Sequence, residues 1–219
     1  MRNIAKIISV LLHPLLIPTI ICVVLICYAP SALPITSIKG QIEFTLFIFV
    51  ITFLLPLFAI FIYFFWNKGF KNMENESEGL FVKSIIMESR KERIIPFTIT
   101  TAIYASITYF LIYKAPYSLR ILPIVFGSIT MCLAIVTFVT RFWKISAHSA
   151  GVAGGLGFLI GIYFKQEELT LFYPVLTFLI LVGILMSSRL YLNCHTPLQV
   201  IAGATIGFCI CLGSMLFFG

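Results

Sequence analysis

Long apolar runs follow one another almost to the C-terminus, and their length decides what this chain can fold into. A helix that crosses about 30 Å of hydrocarbon at 1.5 Å per residue needs roughly 20 mostly apolar residues. Seven stretches read as such spans: 8–28, 43–66, 96–113, 119–141, 149–164, 170–187 and 197–218. The chain is 60% hydrophobic and only 11% charged, whereas soluble domains run near 45–50% and 25%. A water-soluble core is therefore excluded. The expected fold is all-α, a polytopic transmembrane bundle of about six to seven spanning helices forming one integral-membrane domain over 1–219. The stretch 8–28 lacks a small-residue cleavage pattern before Ala29 and Pro30 and reads as a retained helix, not a signal peptide.

The one long polar segment, 67–93, carries eleven charged side chains and cannot cross lipid. Within it Leu80, Phe81, Ile85 and Ile86 outline the apolar side of an interfacial helix. The fifth span is short and rich in glycine (Gly151, Gly154, Gly155, Gly157 and Gly161), which lets neighbouring backbones approach closely. The six cysteines lie almost entirely in apolar segments without zinc-site spacing, and they read as small core residues.

Counting spans then brings distant residues together. Two helices separate Arg93 from His148, and two more separate His148 from Arg189 and His195. Each pair is a hairpin that returns the chain to its starting face, so these groups share one side of the membrane with the N-terminus, and the C-terminus faces the other. The converging types are His, Arg, Lys and Ser. Guanidinium and ammonium groups neutralise phosphate oxygens, hydroxyls and backbone amides hydrogen-bond them, and imidazoles move protons or attack phosphorus. No carboxylate cluster points to a metal. Lys83, Arg90, Lys91 and Arg93 also read as juxtamembrane charges that hold topology or touch anionic lipid. His148 and His195 each stand near a serine at a helix boundary. His13, among Pro14 and Pro18 in the first span, has no such company and reads as a packing or kink-site residue.

Three blocks carry a resemblance. Ser188-Arg189, five further residues and His195 form the third. Ile145-Ser146-Ala147-His148 forms the second. The first is Lys83 and Arg90 at x6 spacing, with Lys91 following, or alternatively Lys91 and Arg93 ahead of Pro96. Together they resemble the K-x6-R-P, P-S-G-H and S-R-x5-H-x3-D pattern of the type-2 phosphatidic acid phosphatase superfamily of membrane lipid phosphatases. The resemblance runs from about residue 83 to the C-terminus, preceded by one or two extra spans.

The resemblance implies a covalent mechanism without metal or cofactor. His195 would attack phosphorus, His148 would protonate the leaving lipid oxygen, and water would release phosphate. Lys83 or Lys91, Arg90 or Arg93, Ser146, Ser188 and Arg189 would hold the phosphoryl oxygens. Where the family has an Asp beside the nucleophile, this chain has Gln199, whose carbonyl can orient the ring but brings no charge. Ala147 replaces a glycine next to His148. Slower chemistry, a rescuing carboxylate such as Glu88 or Glu92, or a catalytically retired lipid-phosphate-binding or scaffolding protein are the three expectations. The implied partners are a lipid phosphate or diphosphate and the surrounding membrane lipids, not nucleic acid. The implied setting is a bacterial inner membrane, and the charge distribution leaves the sidedness of the motifs open. The net charge of +7 suits anionic head groups.

Overall fold

Proline decides the course of the N-terminal segment. It lacks an N–H and disfavours helical backbone at the preceding residue, and Pro14 and Pro18 stand within the first expected span. In the computed structural model, residues 2–68 and 90–219 are described, except for the side chains at 67, 68, 90 and 91. There the stretch 8–28 is not one helix. Helix α1 (Arg2–Leu11) ends in turns at Leu12 to Leu16, and α2 (Ile17–Tyr28) restarts with Pro18 in its first turn. Neither piece reaches spanning length, so the expectation of a continuous first span is corrected, and six of the seven expected spans stand among the described residues.

Among the described residues, six segments are long and apolar enough to cross a membrane: Ile38–Trp66, Glu92–Lys114, Ile121–Thr140, Ala147–Lys165, Leu169–Tyr191 and Pro197–Phe218. The chain is an integral membrane protein of all-α class, with no strand among the described residues. The first span comprises α3 (Ile38–Phe49), a π-helical turn (Val50–Leu54) and α4 (Leu55–Lys68). Then come α5 (Arg90–Lys114), α6 (Ile121–Thr140), α7 (Ala147–Lys165), α8 (Phe172–Tyr191) and α9 (Pro197–Phe218). Lys83, Glu88 and the expected interfacial helix around Leu80 to Ile86 lie outside the described residues.

The π-helical turn has an identifiable cause. Pro56 cannot donate to the carbonyl four residues back, which is that of Thr52, and its ring crowds that oxygen. The Tyr104 hydroxyl on α5 donates to the freed Thr52 carbonyl at 2.7 Å, and the Thr19 and Thr52 hydroxyls meet at 3.1 Å. A buried carbonyl without a partner is costly in an apolar setting. This bond therefore ties the first span to α5, while the threonine pair ties it to α2.

Helices α7 and α9 form the tightest pair, held by small residues at close approach. A Cβ on Gly207 would lie 1.9 Å from the Ala150 carbonyl, and one on Gly203 would lie 2.4 Å from that of Ser146. Further along, a Cβ on Gly157 would meet the Phe208 carbonyl at 2.5 Å. The glycines of the short span thus work together with glycines of α9. Around this pair a buried apolar core joins Ile17, Ile21 and Leu25 of α2, Val125 and Phe126 of α6, and Leu156 and Leu159 of α7. At its far end α2 is fixed by the Tyr28 carbonyl, which accepts from the Thr170 hydroxyl. At its near end the break before α2 reaches the start of α7.

Candidate active site

The site begins as backbone geometry at one end of the α7–α9 pair. Ser146 is the N-cap of α7: its hydroxyl oxygen accepts from Ser149 N–H at 3.3 Å and from the Ser149 hydroxyl at 2.9 Å. Its own N–H donates to the Gln199 carbonyl at 3.3 Å. The second and third sequence blocks are thereby fixed to each other by main chain, at the place where Gly203 allows the approach.

Gln199 occupies the third position of α9 and closes a capping box with Thr196. Its Oε1 accepts from Thr196 N–H at 3.2 Å and lies 3.2 Å from His195 Nδ1. An amide oxygen can only accept, so Nδ1 is the protonated ring nitrogen and Nε2 keeps its lone pair. That lone pair faces Arg93, whose Nη1 stands 3.4 Å away. An oxygen held by Arg93 is therefore within reach of the imidazole nitrogen. Burial, then the charges of Arg93 and Arg189, pushes the His195 pKa from 6.5 down to about 3, so the ring is neutral at physiological pH. Lys144 adds to the same field.

Arg93, Arg189 and His195 retain only 6%, 9% and 8% of their exposure. Such depth is expensive for two guanidinium groups unless anions answer them. Arg189 Nε is buried with no hydrogen-bond partner among the described residues. A cation with an unanswered donor beside a second cation is a place for an anion with several oxygens.

Arg93, Arg189 and His148 line the polar end of a cavity that continues into the bundle between Ile21, Phe97, Tyr104, Val125, Ile129, Val136 and Phe158. From His148 to Phe158, or from Arg93 to Tyr104, helix rise gives a depth of about 15 Å. His13 stands at the same polar end, its ring 5.3 Å from that of His148 and edge-on at 85°. His13 sits at the break between α1 and α2 and packs edge-on against Phe53 and His148, as expected of a packing or kink-site residue. Apolar periodicity alone does not give its encounter with His148, which the kink at Pro14 brings about. The two prolines beside it were the available signal.

Other expected ligands stand differently. The Ser188 hydroxyl donates back to the Ile184 carbonyl at 2.8 Å, and Ser146 is fully buried as a cap, so neither lines the cavity. Lys83 and the side chains of Arg90 and Lys91 lie outside the described residues. Of the two carboxylates expected as possible rescuers, Glu88 lies outside the described residues and Glu92 is exposed at the start of α5, while Gln199 takes Nδ1 of His195. No group of three His, Cys, Asp or Glu side chains suited to a metal occurs among the described residues.

Residues 141–219 match the family model of the PAP2 superfamily. That segment holds Ser146, His148, Ser188, Arg189, His195 and Gln199, and it makes the chain consistent with a PAP2 superfamily member. Phosphatase activity on phosphate esters is what that superfamily suggests. No curated protein and no solved structure matches the chain. Arg93 and His13, which complete the polar end of the cavity, come from outside the matched segment.

Proposed function

We propose that this protein hydrolyses a lipid phosphate or diphosphate through a phosphohistidine on His195. The observation that carries this reading is the orientation of His195: Gln199 holds its proton on Nδ1, and Nε2 is directed at the Arg93 guanidinium. With phosphoryl oxygens on Arg93 and Arg189, Nε2 attacks phosphorus and the P–O bond to the lipid breaks. His148 gives its proton to the departing oxygen. Water then attacks the phosphohistidine and gives a proton back to His148, and the N–P bond breaks to release inorganic phosphate, which restores both imidazoles. The two guanidinium groups stabilise charge on the equatorial oxygens at both steps. Arg90, Lys83 and Lys91 are further candidate phosphate ligands from the first block, with Ser146 and Ser188 supporting the histidine and arginine they adjoin.

A lipid, in place of a soluble ester, is supported by the chamber behind the arginines. Its walls behind the cationic end are almost wholly apolar, which suits a phosphate head with a hydrocarbon chain attached. Isoprenoid carrier phosphates, phosphatidic acid and phosphatidylglycerol phosphate all have that form. One observation favours a second reading, a retired protein that binds lipid phosphates: the partner of His195 is an uncharged amide, which gives a cationic intermediate less support than a carboxylate.

The test is phosphate release in detergent without added metal from these lipids, with wild type and His195→Ala compared. Release by wild type alone is expected. Equal release by both proteins contradicts the histidine mechanism, and binding without release from either favours the second reading.

A further inference from the structure

We infer that His13 is a third histidine of the phosphate site, donating a hydrogen bond from its Nε2–H to a phosphoryl oxygen. The inference rests on the reading of the cavity as a phosphate site and adds a residue from the N-terminal segment to it. Three observations carry it. His13 lines the cavity together with Arg93, His148 and Arg189. Its Nδ1 accepts from Leu15 N–H at 3.3 Å, so in the neutral ring the proton is on Nε2. Among the described residues nothing accepts from that Nε2–H, and the neighbours that share the polar end are two guanidinium donors and an imidazole.

A hydrogen-bond donor facing a cavity whose other polar groups are mostly donors is useful only to an acceptor-rich guest. A phosphoryl group supplies such acceptors. The break at Pro14 gives the arrangement its structural basis. A continuous helix would continue the α1 register through His13, whereas the turn from Leu12 to Leu16 presents the ring to the start of α7. The edge-on contact with His148 and a second one with Phe53, 6.2 Å between centroids at 84°, fix the ring's plane.

Packing and donation make different demands, so substitutions separate them. Phe at position 13 keeps an aromatic ring against Phe53 and His148 but has no donor. Gln loses the ring but places an amide N–H near the former Nε2. Wild type, His13→Phe and His13→Gln are compared for phosphate release from a lipid phosphate, and for the rise in melting temperature that inorganic phosphate produces in detergent. A hydrogen bond to a charged partner contributes about 1.5–3 kcal/mol, so His13→Phe is expected to lose roughly 10- to 150-fold in kcat/KM. His13→Gln is expected to recover at least part of that loss. The phosphate-induced rise is expected in wild type and His13→Gln and to shrink in His13→Phe.

A folded His13→Phe protein within about twofold of wild type in both measurements overturns the inference. If His13→Phe fails to fold, a folded His13→Gln that has lost both release and the phosphate response overturns it as well. Absence of release from wild type, with the phosphate response present and sensitive to His13→Phe, would sink the hydrolase reading and leave His13 as a phosphate ligand.

Discussion

Replacing Gln199 by Glu supplies the missing charge without shortening the side chain. Oε1 of Gln199 already lies 3.2 Å from His195 Nδ1 and accepts from Thr196 N–H. A glutamate can keep both contacts, since a capping box accepts Glu as readily as Gln at that position. An opposite charge this close raises a histidine pKa by about 1–3 units. Starting from about 3, His195 would titrate between about 4 and 6 in the variant. That remains below neutrality, so the ring stays unprotonated and available for attack at pH 7 while becoming more basic. If about half of the imidazole's positive charge has developed in the transition state, each unit contributes about 0.7 kcal/mol. The expected gain in kcat/KM is therefore roughly 3- to 30-fold. Phosphate release from a lipid phosphate, followed from pH 4 to 8, measures it, and the acid limb should move upward with the rate. An unchanged or lower rate in a folded Gln199→Glu protein, with the acid limb unmoved, would refute the claim that Gln199 limits the nucleophile through its lack of charge.

Arg189→Lys removes the buried Nε and the planar fork; kcat/KM is expected to fall about 10-fold or more, read from initial rates of phosphate release. Tyr104→Phe leaves the buried Thr52 carbonyl without its donor and should cost about 1–3 kcal/mol in reversible unfolding in mixed detergent. Gly207→Ala places a Cβ 1.9 Å from the Ala150 carbonyl; separation of α7 from α9 should destabilise by at least about 1–3 kcal/mol and lower activity at His148, measured by melting temperature and rate together. Because His195 titrates at about 3 in the fold and near 6.5 when unfolded, the unfolded chain binds more protons in between. Its contribution to stability is present above 6.5 and is lost as pH falls toward 3, so the melting temperature should drop more steeply on acidification in wild type than in His195→Gln.

Apolar run length made the bundle legible, because five of the six spans are uninterrupted and their boundaries follow composition. The same measure failed at 8–28, where the apolar count ignored what Pro14 and Pro18 do to the backbone. Hairpin counting placed Arg93, His148, Arg189 and His195 at one end, since alternation of faces needs no side-chain detail, and their encounter is visible at Arg93 and His195. Reading Gln199 as an orienting carbonyl followed from its chemistry; that it also caps α9 required the geometry. Roles of small polar residues were less legible. Ser146 and Ser188 satisfy their own helices, as serines at caps and in apolar helices do. The encounter of His13 with His148 was hidden because a residue in a break is aimed by the turn and not by helical periodicity.

The phosphohistidine itself gives the most direct test. Wild-type protein is mixed with a lipid phosphate labelled at phosphorus, quenched with base within the first turnover, and digested to locate the label. The account predicts an acid-labile, base-stable phosphoryl group on the peptide containing His195, absent from His195→Ala and accumulating when water attack is slowed. Phosphate release by wild type with no label on that peptide at any time, or with the label on another residue, would contradict it.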